Sequence, residues 1–430
     1  MARMLVVADD LTGAADCGVA CASHGLRTVV VFGDDDGDAQ ADVLSVDANT
    51  RHMKPEKATA ETARHVQRYI RDEGTLLYKK IDSTLRGNVA AELAAALEAR
   101  RALTAEGERI VAVLAPAFPA NDRTTVKGRQ LIHGKPLEET GLWQYERMTA
   151  RSYIPEMLDE AHLRSALVGL DLIRSGGALQ EVMKTLAREA DVLVCDAETD
   201  EDLRAIADAS MALGRGTVWA GSAGLAYHLP PAAGLTRASA AIAEEPLARG
   251  PSLFVVGSGS SISREQTEVL TSRSDVTTMK IAPDILLAGK ESQKWRAHEL
   301  ALEEALRAGR DVVVLPGLEP RLQSAKGPLL AAALAEMARP FAETVGALVV
   351  TGGETARAVF QAWGICRLWL VGEVEAGLPY SVTAGWSRRL PVLTKAGAFG
   401  RPETLLHCRQ FLRELDRGGK TYTEKSIGVQ

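Results

Sequence analysis

Short apolar runs alternate with longer stretches of helical periodicity along most of the chain. In the first half, apolar and β-branched residues predict strands at residues 4–8, 28–32, 43–46, 76–79, 110–114, 192–194 and 217–220. Helical patterns lie between several of these strands, for example at residues 56–72 and 87–103. This alternation is typical of βαβ units and of a mostly parallel sheet.

The composition changes at residues 229–252, where four prolines and many alanines occur without a strand pattern. We interpret this segment as a linker. Beyond it, further strands are predicted at residues 253–256, 276–280, 311–315, 347–351, 368–371 and 392–394, with helices at 326–344, 354–363 and 403–416. The predicted fold class is α/β: two α/β domains, residues 1–235 and 250–418, with mostly parallel sheets and a ligand cleft between them.

Composition narrows the classes of function. The chain has 430 residues, a net charge of −6 and only 5% aromatic residues, which disfavours nucleic-acid binding. Its five cysteines form no CxxC pair, a pattern typical of a reduced compartment. We see no signal peptide and no apolar run long enough to span a membrane, and we expect a cytoplasmic protein without a membrane partner.

The first predicted strand ends at two adjacent carboxylates, Asp9 and Asp10, in the segment LVVADDLTGAAD. In open α/β sheets, ligands bind beyond the carboxyl ends of the strands. A single acid would be explained as a helix N-cap, whereas two acids favour a site. Arg51 follows the third predicted strand, and a guanidinium at such a position can bind a carboxylate with two hydrogen bonds.

The segment YKKIDSTLRGN at residues 78–88 places several charged and hydroxyl side chains between a strand and a helix. Helix capping would need only one of them, so this cluster also favours a site. Residues 115–125 follow another strand and carry two prolines before Asn121, Asp122 and Arg123. That stretch is equally compatible with a substrate loop and with an ordinary surface loop.

A different pattern occurs more than once in the second half of the chain: an apolar strand is followed by a turn of small residues and then by a helix. The clearest cases are VVGSGSSIS at residues 255–263 and VVTGGETA at residues 349–356. Backbone N–H groups at such helix starts favour phosphate. Neither segment is a Walker A motif or a Rossmann fingerprint. Two such turns in one domain indicate nucleotide phosphates.

Taken together, these segments resemble the four-carbon acid sugar kinase family, whose members use ATP to phosphorylate threonate, erythronate or related acids at O4. The matching stretches span nearly the whole chain in the family's order: DDLTGAAD, KIDSTLRGN, APAFPANDR, GSAGLA, VGSGS, TGGET and TKAGAFG. The resemblance implies an N-terminal domain that binds the sugar acid and a C-terminal domain that binds ATP. A homodimer is compatible with it.

By position, the resemblance assigns contacts with the sugar acid to Asp9, Asp10, Arg51, Lys80, Ile81, Asp82 and Ser83. It assigns contacts with the nucleotide to Ser258, Gly352, Gly353, Glu354, Thr355 and Gly397. This chain departs from the family pattern at Ala396 and Ala398, where Ser and Gly or Asn are often found, so the details of the last loop stay open.

For the mechanism, we expect Arg51, together with Lys80, to hold the carboxylate of the acid so that O4 faces the γ-phosphate. Either Asp82 or Asp10 would accept the O4 proton. ATP would bind with Mg²⁺, whose protein ligands the sequence does not identify. Two alternatives stay open: an NAD(P)-dependent hydroxy-acid oxidoreductase, which the missing GxGxxG disfavours, and a non-catalytic sugar-acid-binding protein, which the second set of glycine turns disfavours.

Overall fold

The computed structural model describes residues 3–417 except 34, 38–39, 71, 105–107, 141–151, 238–245, 274, 318–319, 376 and 398, and it leaves the side chains of residues 320–325 undescribed. The chain divides into two compact units, unit 1 within residues 1–240 and unit 2 within residues 241–430. Both units alternate strands and helices around a mostly parallel sheet, which confirms the predicted α/β class.

The strands of unit 1 are β1 Met4–Ala8, β2 Thr28–Phe32, β3 Val43–Asp47, β4 Leu76–Lys80, β5 Ala112–Ala115, β6 Arg123–Val126, β7 Arg129–Ile132, β8 Lys135–Pro136, β9 Ser165–Val168, β10 Val192–Cys195 and β11 Val218–Gly221. Its helices are α1 Leu11–Ala22, α2 Pro55–Tyr69, α3 Val89–Arg101, α4 Ile154–Asp159, α5 Leu170–Ile173, α6 Leu179–Leu186, α7 Asp200–Ser210, α8 Ala223–Ala226 and α9 Leu229–Ala232.

The main sheet of unit 1 has the order β2-β3-β1-β4-β11-β5-β10-β9, and all neighbouring strands are parallel. Strand β1 is buried along its whole length, as expected for an apolar strand covered on both faces. Its last residue, Ala8, pairs with Asp47 of β3 and with Lys80 of β4. The loops after β1, β3 and β4 therefore begin side by side at one edge of the sheet.

A small antiparallel sheet, β6-β7-β8, was not predicted, because residues 115–125 were interpreted as a loop. Its strands are two to four residues long and mostly polar, so they carry little hydrophobic periodicity. Asp196 anchors the tight turn after β6 by accepting hydrogen bonds from the backbone N–H of Lys127 and Gly128 at 2.7 and 2.8 Å. We call residues 123–136 the meander.

The strands of unit 2 are β12 Ser252–Val256, β13 Val276–Ile281, β14 Asp311–Pro316, β15 Ala347–Thr351, β16 Arg367–Glu375, β17 Leu378–Thr383 and β18 Pro391–Lys395. Its helices are α10 Ser261–Thr271, α11 Pro283–Ala288, α12 Gln293–Arg307, α13 Pro320–Ala338, α14 Gly353–Trp363 and α15 Thr404–Asp416. The strand order is β13-β14-β12-β15-β18-β17-β16, and β17 is antiparallel to both of its neighbours.

The predicted strands all occur, with ends within two residues except at β16, which runs on to Glu375 in antiparallel pairing with β17. Strand β17 was missed because it contains Pro379 and follows Gly377, both typical of turns. Strand β9 was also missed. Within the predicted linker, Leu229–Ala232 form a helix and β12 begins at Ser252, whereas residues 238–245 lie outside the described residues.

Candidate functional site

The two carboxylates after β1 lie at the start of helix α1. Asp10 is the N-cap, and its Oδ1 accepts a hydrogen bond from the backbone N–H of Gly13 at 2.8 Å. Gly13 must be small, because a Cβ there would lie 2.7 Å from Asp10 Oδ1 and 2.8 Å from Lys80 Nζ. The cap explains one oxygen of Asp10, and it leaves the other oxygen and the whole of Asp9 to be explained.

Arg51 binds both the second oxygen of Asp10 and the carboxylate of Asp9. The loop after β3 folds back so that the backbone N–H groups of Thr50 and Arg51 donate to the Asp9 carbonyl at 3.0 and 3.2 Å. The guanidinium then donates from Nε to Asp9 Oδ2 at 2.7 Å and from Nη1 to Asp10 Oδ2 at 2.6 Å. Its Nη2 lies 3.8 Å from Asp82 Oδ1, and the side chain is only 12% exposed. Arg51 thus holds three carboxylates together.

These contacts fix the charge states. Burial alone would raise the pKa of Asp9, but the positive charges of Arg51 and Lys80 hold it below its ordinary value. Burial also opposes the charge of Arg51, whose pKa is nevertheless raised well above its usual range by Asp10 and Asp9. Asp9 and Arg51 are therefore charged at neutral pH.

The loop after β4 brings a second set of charges to the same edge of the sheet. Lys80 is buried and donates to the Ile81 carbonyl at 2.8 Å. Asp82 accepts two hydrogen bonds from Arg86, at 2.8 and 2.9 Å, and one from the backbone N–H of Thr84 at 3.2 Å. Burial would raise the pKa of Asp82, but Arg86 and Arg51 hold it well below its usual range. We call Asp9, Asp10, Arg51, Lys80, Asp82 and Arg86 the charge cluster.

Behind the charge cluster lies an ion pair that the sequence interpretation missed. Lys79 and Glu92 are fully buried, with 2.6 Å between Nζ and Oε2. Lys79 also donates to the carbonyls of Lys80 at 3.0 Å and Val7 at 3.3 Å, which joins the ends of β4 and β1. Glu92 was the available signal, because it is the one acid in the apolar first turns of α3, and a buried acid needs a cation.

The two remaining predicted residues of this region, Ile81 and Ser83, make internal contacts through their backbone. The Ile81 side chain is buried, and its backbone N–H donates to Gly221 at 2.9 Å, so only its carbonyl faces the charge cluster. Ser83 is held through its carbonyl by the amide of Gln130 at 2.8 Å. Gln130 is buried in the meander and accepts a hydrogen bond from Thr125 at 2.6 Å. The meander therefore supports the loop after β4.

In unit 2, the turns after β12, β15 and β18 lie side by side, because these strands are neighbours in the sheet. A Cβ at Gly257 would overlap the Thr355 hydroxyl, and a Cβ at Gly397 would overlap the Ser258 hydroxyl. The hydroxyl of Ser260 donates to the Gly397 carbonyl at 2.6 Å. The structure therefore brings the predicted nucleotide-contacting turns together, and glycine is sterically required in two of them.

Helices start at two of these turns. Ser260 is the N-cap of α10, and Gly352, with a φ of 95° that favours glycine, is the N-cap of α14. Gly353 and Glu354 form the first turn of α14. The N–H groups and dipoles of such helix ends attract anions.

Lys395, the last residue of β18, has a structural role. Its side chain is almost wholly buried, and Nζ donates to the carbonyls of Ala396, Gly397 and Phe399 at 2.8, 3.3 and 2.9 Å. Burial lowers its pKa to about 8. Lys395 therefore shapes the loop after β18 from within. Ala398 of this loop lies outside the described residues.

Comparison with known proteins decides which family has this pair of units. A model described as a sugar-binding N-terminal domain matches residues 4–229, and one described as a nucleotide-binding C-terminal domain matches residues 253–405. A D-threonate kinase of Cupriavidus necator is 41% identical over 424 residues, covering 95% of this chain and 98% of that protein. The chain belongs to the four-carbon acid sugar kinase family.

Other matches agree with this membership. A D-threonate kinase of Bordetella bronchiseptica is 34% identical over 422 residues, which cover 95% of this chain and 97% of that protein. A Haemophilus influenzae protein of known structure, 21% identical, has the same fold with a TM-score of 0.73 and covers 95% and 100% of the two chains. As a four-carbon acid sugar kinase, this protein is a phosphotransferase that acts on an alcohol group, and the oxidoreductase and non-catalytic alternatives are rejected.

Within the part of the chain that the structure describes, no helix combines the length and apolar character needed to cross a membrane. Within the same residues, no three His, Cys, Asp or Glu side chains are grouped as metal ligands would be.

We expect Arg51→Met to destabilise unit 1 by about 3–5 kcal/mol at neutral pH, because it leaves buried carboxylates without their cation. In the wild type, the lowered pKa values of Asp9 and Asp82 contribute stability above the ordinary carboxyl range, and this is lost as the pH falls through the folded-state values. In the variant, the pKa of Asp9 would rise because its nearest cation is lost, so protonation of Asp9 would relieve part of the destabilisation, whereas Asp82 would keep Arg86 as its partner.

The loss of unfolding free energy in Arg51→Met, relative to the wild type, should therefore be larger at about pH 7.5 than at about pH 5. Thermal unfolding at both pH values measures it. Arg64→Met is the matched control, because Arg64 pairs with Glu61 on an exposed helix face and carries the same charge. A deficit independent of pH, or equal in both variants, would contradict the role of Arg51.

Proposed function

We propose that this kinase transfers the γ-phosphoryl group of ATP to the terminal O4 hydroxyl of a four-carbon sugar acid, with D-threonate as the first candidate. The observation that carries the proposal is the charge cluster, which gathers three carboxylates and three cations at the carboxyl edge of the sheet in unit 1. Such a set suits a small ligand with several hydroxyls and one negative charge. The names of the two similar kinases support the choice of acid.

In this proposal, residues 1–235 bind the acid, and Asp9 and Asp10 bind its hydroxyls. Asp9 Oδ1 is a buried carboxylate oxygen without a hydrogen-bond partner among the described residues. An unsatisfied oxygen of this kind gains from a donor, and a hydroxyl of the acid would provide one. Arg51 would keep both carboxylates ionised and correctly oriented. The charge of Lys80 acts on the same two residues.

The proton acceptor for O4 is then Asp10 rather than Asp82. Each of the two carboxylates accepts hydrogen bonds at both oxygens, but Arg86 and Arg51 hold the pKa of Asp82 well below its usual range, so Asp82 is a poor base. Asp10 is the more exposed of the two, with 21% of its side chain accessible against 10% for Asp82. Asp82 would instead fix the position of Arg86.

Residues 250–418 bind ATP in this proposal. The starts of helices α10 and α14 would face the phosphates, with Ser258, Gly352, Gly353, Thr355 and Gly397 close to the nucleotide. Mg²⁺, when bound with ATP, neutralises charge on the phosphate oxygens. Glu354, in the first turn of α14, is a carboxylate of the kind that holds this ion. Little covalent chemistry is asked of the protein, since phosphoryl transfer depends mainly on positioning.

The direct test of the proposed activity is ADP release coupled to a spectrophotometric assay. D-threonate, L-threonate, D-erythronate and 3-oxo-tetronate would be compared at equal concentration, with threitol as an uncharged control. We expect one four-carbon acid to be favoured clearly and threitol to be poor, because the site is built for an anion. No ATP-dependent turnover with any of the acids would contradict the proposal.

We expect Asp10→Asn to lower kcat by about 10²–10⁴-fold with a small change in KM for the acid, as for the loss of a general base. Asp82→Asn should mainly raise KM for the acid, because Arg86 loses its anchor. Steady-state kinetics with both substrates separate the two effects. The assignment of the base would be wrong if Asp82→Asn, and not Asp10→Asn, lowered kcat in this way.

We expect Gly257→Ala to raise KM for ATP roughly tenfold, because the new methyl group overlaps Thr355 and must push the two turns apart. KM for the acid should stay unchanged. Gly372→Ala is the matched control, since a Cβ there meets no heavy atom within 4 Å. Equal nucleotide affinity in all three proteins, measured by calorimetry, would rule out this turn as part of the nucleotide site.

A further inference from the structure

Arg123 is a cation near the charge cluster that the proposed function has not used. It follows a tight turn in which Asp122 has a left-handed φ of 56°. Phe118 and Arg123 exchange two backbone hydrogen bonds across this turn, at 2.8 and 3.1 Å. The meander that begins at Arg123 is tied to Ser83, next to Asp82, through Gln130. The fold therefore holds Arg123 beside the loop after β4.

The charges of the charge cluster balance without Arg123. The charge cluster contains three carboxylates, Asp9, Asp10 and Asp82, and three cations, Arg51, Lys80 and Arg86. The buried pair behind it, Lys79 with Glu92, is also neutral as a pair. Arg123 is not one of these eight groups, and its guanidinium adds a further positive charge beside them.

Arg123 is this additional charge. Its guanidinium donates to the backbone carbonyl of Asn121, and no carboxylate of the described residues lies within 4.0 Å of it. Asp122, its neighbour in sequence, is largely exposed and lies 3.3 Å from His133. Burial lowers the pKa of Arg123, and the more distant charges of Asp82 and Asp122 only partly offset this. A half-buried guanidinium without a counter-ion is costly, and an anionic ligand would remove that cost.

Arg51 is the cation that the sequence assigned to the substrate. Unlike Arg123, it already has carboxylate partners within the protein. Its Nε and Nη1 already donate to Asp9 and Asp10, so it would have to exchange an internal carboxylate for that of the ligand. Such an exchange would leave a buried acid unpaired.

We propose that Arg123, and not Arg51, binds the carboxylate of the sugar acid and thereby selects acids over uncharged polyols. This inference rests on the proposed function, since it takes a four-carbon acid as the ligand. A tetronate carries one negative charge, which would pair with the positive charge of Arg123. The planar guanidinium can hold a carboxylate with two parallel hydrogen bonds, and these fix the end of the acid opposite to O4.

The test compares an acid with its uncharged counterpart. D-threonate and D-threonamide have the same hydroxyls and length, and they differ in charge at C1. We expect Arg123→Met to lower kcat/KM for D-threonate about 10–100-fold and to change that for the amide less than about threefold. KM for ATP should not change. Arg123→Lys, which keeps the charge and loses the fork, should give an intermediate value.

Lys127→Met is the matched control, because Lys127 is an exposed cation of the same meander. It should leave the ratio of acid to amide activity as in the wild type. A purely structural role of Arg123 would lower both activities together, and a role at the transferred phosphoryl group would do the same. Either result would overturn the inference, as would a loss of discrimination in Arg51→Met with full discrimination in Arg123→Met.

Calorimetry with D-threonate and no nucleotide separates this inference from the proposed function. If the wild type binds D-threonate, Arg123→Met binds it at least tenfold more weakly and no turnover is found, the inference stands and the kinase activity on this acid fails. If turnover is found and Arg123→Met binds D-threonate like the wild type, the kinase activity stands and the inference fails. Absence of binding to the wild type contradicts both for this acid.

Discussion

The guanidinium of Arg51 lies among three carboxylates that reach it from two different strand ends, and the rest of the site depends on this contact. Asp9 and Asp10 come from the end of β1 and Asp82 from the loop after β4, while Arg51 itself follows β3. Three like charges would not remain buried together without a cation between them. Arg51 therefore fixes both the charge states and the relative positions of three loops.

The parallel sheet is what makes this contact available. Because β1 lies between β3 and β4, the loops that follow them start side by side, although they are some 40 residues apart in the chain. Lys79, paired with Glu92, donates to backbone carbonyls at the ends of β1 and β4 and so joins the two strands. Gln130 of the meander holds the loop after β4 by donating to the Ser83 carbonyl. The same principle operates in unit 2, where adjacent strand ends gather three glycine turns and Lys395 holds the last of them from within.

Much of this arrangement could be predicted from the sequence, because it follows from local patterns. Buried strands are visible as apolar runs, and charged residues directly after them mark the edge where Asp9, Asp10 and Arg51 meet. Which charged side chains form ion pairs with each other could not be predicted, because this depends on which loops the fold brings together. The sequence indicated Arg51 as the partner of the ligand. In the structure Arg51 donates to two internal carboxylates, whereas no carboxylate of the described residues lies within 4.0 Å of Arg123. The short polar strand that places Arg123 had no periodicity to reveal it.

The proposed orientation of the acid determines which of its oxygens receives the phosphoryl group. If the carboxylate of the acid is held at one end and Asp10 accepts the proton at the other, the phosphoryl group must join the terminal oxygen. A ¹H–³¹P correlation NMR spectrum of the product from ATP and D-threonate measures this directly. We expect phosphorus to couple to the C4 methylene protons. Coupling to the proton on C2 or C3, in place of those on C4, would contradict it.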